Sequence, residues 1–251
     1  MNVAAYGSEQ GALTDSLARR AFLRFAGSYD LGARVRYAAV EPELARIPAP
    51  RRVLDAGSGR GELCFAMARR WPNAEIVVVD FDEVLIDHAN QLREIHFPSR
   101  EIRFVAAQLP HHFEEPFDVV VSIDVLEHIE DDTALLRSLY DVTAKEGTLI
   151  LHTPAEQQRR ILAEFEDHHE HVREGYERET LATLLRDAGY RDVTVRPTFG
   201  RLGALAWEGF ALARGGNGLA AAALPLWYAF GALDGLRVPA HGIGLLATAR
   251  R

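Results

Sequence analysis

Between residues 52 and 196, short apolar runs alternate with amphipathic stretches, and this alternation constrains the fold more than any other feature of the chain. Strands are expected at 53–56, 75–80, 102–106, 117–123, 147–153 and 192–196, with helices between them at 61–71, 83–96, 132–143 and 178–188. The run Val119-Val120-Val121 is apolar throughout instead of alternating. Strands read that way when helices cover both faces of a parallel sheet. The pattern predicts an α/β fold: a doubly wound, mostly parallel, Rossmann-like sheet, which a last strand at 242–249 completes to seven.

The flanks follow other rules. Residues 12–47 read as helical, with Leu13, Leu17, Ala21, Phe22 and Phe25 at helical spacing and a break at 27–32. Pro48 and Pro50 end that region. Beyond Arg196, the stretches 199–214 and 219–236 are apolar and punctuated by glycine. The expected organisation is an N-terminal helical cap at 1–47, an α/β core at 48–198, a helical insertion at 199–241 and the closing strand at 242–251. The uncharged stretch 219–233 holds 15 residues with Pro225 inside it. A membrane span needs ~20, so a helical insertion packed on the core or on a second subunit of a homodimer is expected instead.

Charge and cysteine content narrow the setting. The net charge is −8 and no basic stripe is evident, whereas a protein that neutralises many phosphates needs one; nucleic acid is not the expected partner. Cys64 is the only cysteine, which rules out an intramolecular disulfide and fits a reducing compartment. Residues 1–10 lack the basic start and apolar core of an export signal, so a cytoplasmic protein is expected. Lys145 is the only lysine among 28 basic residues, a bias of the kind GC-rich bacterial genomes impose.

Chemistry concentrates first in Val53-Leu54-Asp55-Ala56-Gly57-Ser58-Gly59-Arg60-Gly61, where the first strand gives way to a helix. Alternating glycines there permit a tight turn and let a ligand approach the backbone. A dinucleotide fingerprint is G-x-G-x-x-G, but here the third glycine comes one residue early and Glu62 follows it. An acid in the first helical turn would repel a pyrophosphate placed at that helix N-terminus. Asp55 can instead support the turn or hold the cationic end of an amino-acid moiety. Asp80, at the end of the second strand, can accept hydrogen bonds from both hydroxyls of a ribose. Phe81 beside it is either an adenine platform or a core aromatic.

Three runs together carry a resemblance: Val53 through Asp80, then Phe104-Val105-Ala106-Ala107-Gln108-Leu109-Pro110, then Phe117 through His128. In content and order they resemble the class I S-adenosylmethionine-dependent methyltransferases, in particular the broad group that includes the ubiquinone-biosynthesis O-methyltransferases. The resemblance covers about residues 50–198. It implies that Gly57, Ser58, Gly59 and Gly61 flank the methionine part of the donor, that Asp80 holds the ribose, and that Asp124 and Val125 stand beside the methionine end. It also places Gln108, with Leu109 next to it, where the family commonly has an acid that accepts from the adenine amino group. A Gln amide oxygen can accept the same bond.

The segment Asp124-Val125-Leu126-Glu127-His128 admits a second use. On a helix, Asp124, Glu127 and His128 would project to one side, and such a set can hold a divalent ion. Similar groupings bind metal in some ubiquinone-pathway and small-RNA methyltransferases, which add a downstream His; here Asp167-His168-His169-Glu170-His171 follows. Other relatives carry the segment without metal, and a metal-free site is the expectation. A hydroxyl acceptor benefits from a general base near neutral pKa, for which His128, His152 and His171 are the candidates. Trp207, Phe210, Trp227, Tyr228 and Phe230 make the insertion aromatic, as an acceptor lid or as a dimer interface. The expected reaction is methyl transfer from S-adenosylmethionine, leaving S-adenosylhomocysteine, to a small acceptor of hydrophobic character, with oxygen favoured. Two alternatives stand beside it: a nicotinamide-dependent oxidoreductase, and a donor-binding partner subunit without turnover.

Overall fold

The computed structural model describes residues 6–156, 161–162 and 171–251. Its centre is a seven-stranded sheet in the order β3-β2-β1-β4-β5-β7-β6. These strands are β1 (Arg52–Ala56), β2 (Glu75–Asp80), β3 (Ile102–Ala106), β4 (Phe117–Ile123), β5 (Thr143–Pro154), β6 (Arg191–Thr198) and β7 (Gly244–Arg250). The pairs β1–β2, β2–β3, β1–β4 and β4–β5 are parallel. β7 runs antiparallel to both neighbours, β5 and β6. The sheet is therefore mixed, with one reversed strand near its edge.

Period-two alternation sorts the strand residues between two cores. Val53, Ile76, Val78, Val119, Val121 and Ile150 face one layer. That layer contains Leu63, Phe65 and Met67 of α3 (Glu62–Arg70), Ile86 and Leu92 of α4 (Glu83–His96), and Tyr37, Val40 and Leu44 of α2 (Leu31–Arg46). Leu54, Val77, Val79, Val120, Leu149 and Leu151 face the other. There they meet Leu135, Leu136 and Leu139 of α5 (Asp132–Val142) and Leu181 and Leu185 of α6 (Arg178–Asp187). Each such aliphatic side chain contributes roughly 1.5–3 kcal/mol on burial. Capping aspartates start several helices: Asp30, Asp82 and Asp131 accept backbone N–H groups at the N-termini of α2, α4 and α5.

The ends of the chain pack beside the sheet. A 3-10 turn at Ser8–Leu13 precedes α1 (Leu17–Ala26), and the break at Gly27 leads into α2. Between β6 and β7 lie α7 (Arg201–Arg214), α8 (Gly218–Ala222) and α9 (Leu224–Asp234). Leu31, Ala206 and Phe210 form a small third core with Trp227, Tyr228 and Phe230. Pro225 sits in the first turn of α9 and not in the middle of a long helix, where its missing N–H leaves nothing unsatisfied. Among the described residues no helix is long and apolar enough to cross a membrane. β5 begins four positions earlier than the apolar run starting at 147 implies, because Thr143, β-branched and buried, already pairs with Phe117.

Candidate functional site

Two backbone hydrogen bonds pin the glycine turn to the neighbouring strand: Gly57 N–H and Ser58 N–H both donate to Val79 O, at 2.8 and 3.2 Å. Gly57 has φ 81°, and a Cβ there would lie 2.1 Å from Val125 Cγ2, so no side chain fits. Gly59, at φ 53°, has open space where a Cβ would stand. Its N–H donates to Asp80 Oδ2 at 2.7 Å, and Asp82 N–H donates to Oδ1 at 3.1 Å. Gly61 caps α3 at φ 74°, and a Cβ there would lie 3.1 Å from Ala89 Cβ. The turn is thus a shallow cradle at the C-terminal ends of β1 and β2, the place where open α/β sheets take ligands.

Polar atoms around this cradle are left without partners. Asp55 is 1% exposed, and its Oδ2 has no hydrogen-bond partner among the described residues; nor has the buried Ser58 Oγ. Burial, reinforced by the charge of Asp80, pushes the Asp55 carboxyl up to about 7. Phe81 is 74% exposed, which excludes the core-aromatic alternative. Gln108 is exposed and Leu109 half-buried against the second core.

The segment after β4 departs from the single helical face expected of it. Asp124 takes φ 52° and only a 3-10 turn, Leu126–His128, follows. That backbone reversal separates Asp124 from Glu127 and His128. Asp124 Oδ1 receives His152 Nδ1 at 2.5 Å, while Arg36 of α2 pairs with Oδ2 at 2.9 Å. The other ring nitrogen of His152 meets Thr198 Oγ1 at 2.8 Å. Burial acts to raise the Asp124 carboxyl, but Arg36 and His152 together hold it well below the usual carboxylate range. His152 is 3% exposed and engaged at both nitrogens, so it orients its neighbours and has no nitrogen turned to an acceptor.

Glu127 turns the other way. Thr153 Oγ1 donates to its Oε2 at 3.1 Å, its Oε1 is unpartnered among the described residues, and burial together with Asp124 pushes its carboxyl up to about 8. The exposed His128 ring lies edge-to-face with His171, centroids 4.7 Å apart. Ligand atoms of Glu127, His128 and His171 all fall within 4.8 Å of one another. Asp124 is not part of that group, and positions 167–170 lie outside the described residues.

The fold adds groups that the motifs did not indicate. Arg36 comes from the N-terminal region, far from Asp124 in sequence, and no local pattern marked it. Tyr6 stacks on Tyr37 at 4.2 Å. Ser28 Oγ donates to Glu62 Oε1 at 3.0 Å, and burial pushes the Glu62 carboxyl up to about 7. Glu62 therefore does not stand as the full negative charge that would repel a pyrophosphate. Gln10 reaches across to Arg60 O and to His88 Nε2. Gln10 and Ser28 thus tie the N-terminal region to the end of the glycine turn and the start of α3.

Fold and site together define the class. A family model described as a methyltransferase domain matches residues 17–195, and the chain belongs to this family, the class I S-adenosylmethionine-dependent methyltransferases. The match sets aside the nicotinamide-dependent alternative, which the charge of Glu62 alone does not. The chain is 33% identical over 107 residues to the Escherichia coli tRNA 5-carboxymethoxyuridine methyltransferase, covering 41% of this chain and 40% of that protein. It is 31% identical over 140 residues to the demethylmenaquinone methyltransferase of Thermus thermophilus, covering 52% and 62%. It is 33% identical over 107 residues to the Pseudomonas fluorescens ubiquinone biosynthesis O-methyltransferase, covering 42% and 45%. In these three the match spans 40–62% of the relative's own length. Among solved structures the [4+2]-cyclase SpnF shares the fold, with TM-score 0.63 and 19% identity, covering 87% of this chain and 82% of that one. So does a Haemonchus contortus phosphoethanolamine N-methyltransferase 2, with TM-score 0.62 and 16% identity, covering 90% and 53%.

Proposed function

We propose that this chain transfers a methyl group from S-adenosylmethionine to an oxygen of a small, apolar acceptor. One observation carries the reading: the cradle at Gly59, open in space, with Asp80 bonded to its N–H and unpaired buried oxygens on Asp55 and Ser58 nearby in the same turn. Those features fit the donor. Asp80 offers a carboxylate to the ribose hydroxyls, Asp55 and Ser58 retain hydrogen-bonding capacity for the charged amino-acid end, and exposed Phe81 and Gln108 are available to adenine. When bound, S-adenosylmethionine supplies a methyl group already activated by the sulfonium charge.

The remaining work belongs to the chain. His128 is the base that takes the acceptor proton, with His171 against its edge. Arg36, Asp124 and His152 hold the segment after β4 in place beside the methionine end. The names of the ubiquinone and demethylmenaquinone relatives support an apolar acceptor. The reading assigns His128 to the acceptor proton, and chelation tests it against the alternative in which Glu127, His128 and His171 hold a divalent ion.

Calorimetric titration with S-adenosylhomocysteine and NAD tests the donor half, with saturable binding of the first expected; binding of NAD alone would sink it. A panel of phenolic and other hydroxyl acceptors tests the other half. Turnover with at least one is expected, and His128→Ala should lower kcat by roughly 10²–10⁴-fold with the donor Kd unchanged. Turnover should survive EDTA. Donor binding without turnover on any acceptor would point to a partner subunit instead.

A further inference from the structure

Helices α8 and α9 are apolar on two opposite sides, and only one of those sides is covered. On the inner side, Gly231 lies against Leu31 and Val35 of α2, Gly209 of α7 lies against the Trp227 ring, and Tyr228 meets Phe22 and Phe210 edge-on. On the outer side, Leu219, Ala222, Leu226, Ala229, Leu233 and Leu236 recur every three or four residues and all are exposed. Leu219 is 86% exposed, Leu226 47%, Leu233 51% and Leu236 75%. A helix apolar all round calls for a second apolar surface.

The charge around this stripe identifies the kind of surface. Between positions 199 and 243 the only acids are Glu208 and Asp234. Glu208 is wholly buried and accepts from the backbone N–H groups of Ile161 and Leu162, and Asp234 accepts from Gly200 N–H. The arginines there, Arg201, Arg214 and Arg237, are all exposed. Arg214 stands shortly before Leu219 in the chain, and Arg237 directly after Leu236. In a chain of net charge −8 this face is apolar and cationic.

We propose that the α8–α9 face docks reversibly on an anionic lipid surface, the leucine stripe entering the interface and the flanking Arg214 and Arg237 meeting the headgroups. Apolar area and cationic rim are the two terms that drive interfacial helix binding. A second copy fits less well, because a symmetric contact would bring arginines against arginines with no exposed acid from the α7–α9 segment to pair them. RNA fits less well too, since its backbone gains nothing from an exposed leucine row. The proposal is independent of methyl transfer, because it concerns the side of α9 turned away from α2 and is read by binding.

Flotation of the full chain with vesicles tests it, using phosphatidylcholine alone or mixed with phosphatidylglycerol at about three to one. The chain should float with the anionic vesicles and not with the neutral ones. Leu226→Asp with Leu233→Asp should lower the partition coefficient at least about tenfold. Arg214→Gln with Arg237→Gln should lower it by about fivefold per arginine. Both pairs are exposed, so melting temperatures should match the parent, and Leu226→Ser with Leu233→Ser stands in if the Asp pair misfolds. Failure to float, or flotation unchanged in the leucine variants, would overturn the proposal. So would a dimer in sedimentation that the leucine changes abolish without any vesicle binding, or retention of bulk tRNA that the arginine changes abolish.

Discussion

Gly57 is held between a φ of 81° and the methyl group of Val125, so its replacement is strained in both backbone and space. Gly57→Ala should cost about 2–4 kcal/mol of unfolding free energy, measured in urea, and should weaken S-adenosylhomocysteine binding in the same variant. Asp55 sets a pH dependence. Its folded pKa of about 7 lies above the ordinary carboxylate value of ~3.9, so the folded state binds this proton more tightly than the unfolded chain. The resulting stability is fully present below about pH 4 and is lost as pH rises through about 7. Glu127, pushed to about 8, works in the same direction, while Asp124, held low, loses its contribution as pH falls. Asp55→Asn should therefore flatten the decline in unfolding free energy between about pH 4 and 7, by at most about 4 kcal/mol. Superimposable urea profiles for parent and variant across that range would refute the assignment.

Two of the polar links between elements bear on the site region, and each can be cut. Arg36 joins α2 to the end of β4, and His152 and Thr198 carry the link on through β5 to β6. Arg36→Met leaves Asp124 and His152 without the external cation. Both Arg36 and Asp124 are about a quarter exposed, 28% and 23%, so the loss should be about 2 kcal/mol, below the 3–5 typical of fully buried pairs. Calorimetry should show it as a melting temperature lower by about 4–8 °C. Glu208 links α7 to the chain after β5. Glu208→Gln should expose the Ile161 and Leu162 amides to faster hydrogen exchange, with a stability loss of about 1–2 kcal/mol. Periodicity sufficed for the elements themselves, because burial on both faces leaves a strand no polar positions. It could not show that Asp124 turns back at positive φ, since that reversal is stabilised by Arg36 and His152 and not by its immediate neighbours.

At the scale of the whole molecule, donor and fold should stabilise each other. S-adenosylhomocysteine at a hundred times its Kd should add about 2.7 kcal/mol, seen as a melting temperature higher by about 5–10 °C. No shift would contradict the proposed cradle. Of the N-terminal helices, α2 shares the core of the sheet through Tyr37, Val40 and Leu44, so melting should be a single transition.

Local chemistry is written in local sequence: glycines at a turn, an acid at a strand end and apolar runs with fixed periods. Those features act over a few residues, so the α/β class, the glycine turn and Asp80 were all readable from the chain before folding. Long-range pairing is not written there. That Arg36 meets Asp124, that His152 is occupied at both nitrogens, and that the leucine row of α8 and α9 stays uncovered depend on which surfaces close over one another. A chain of net charge −8 gave no sign of a cationic face, because net charge sums over the whole sequence, whereas a surface brings together residues far apart in it.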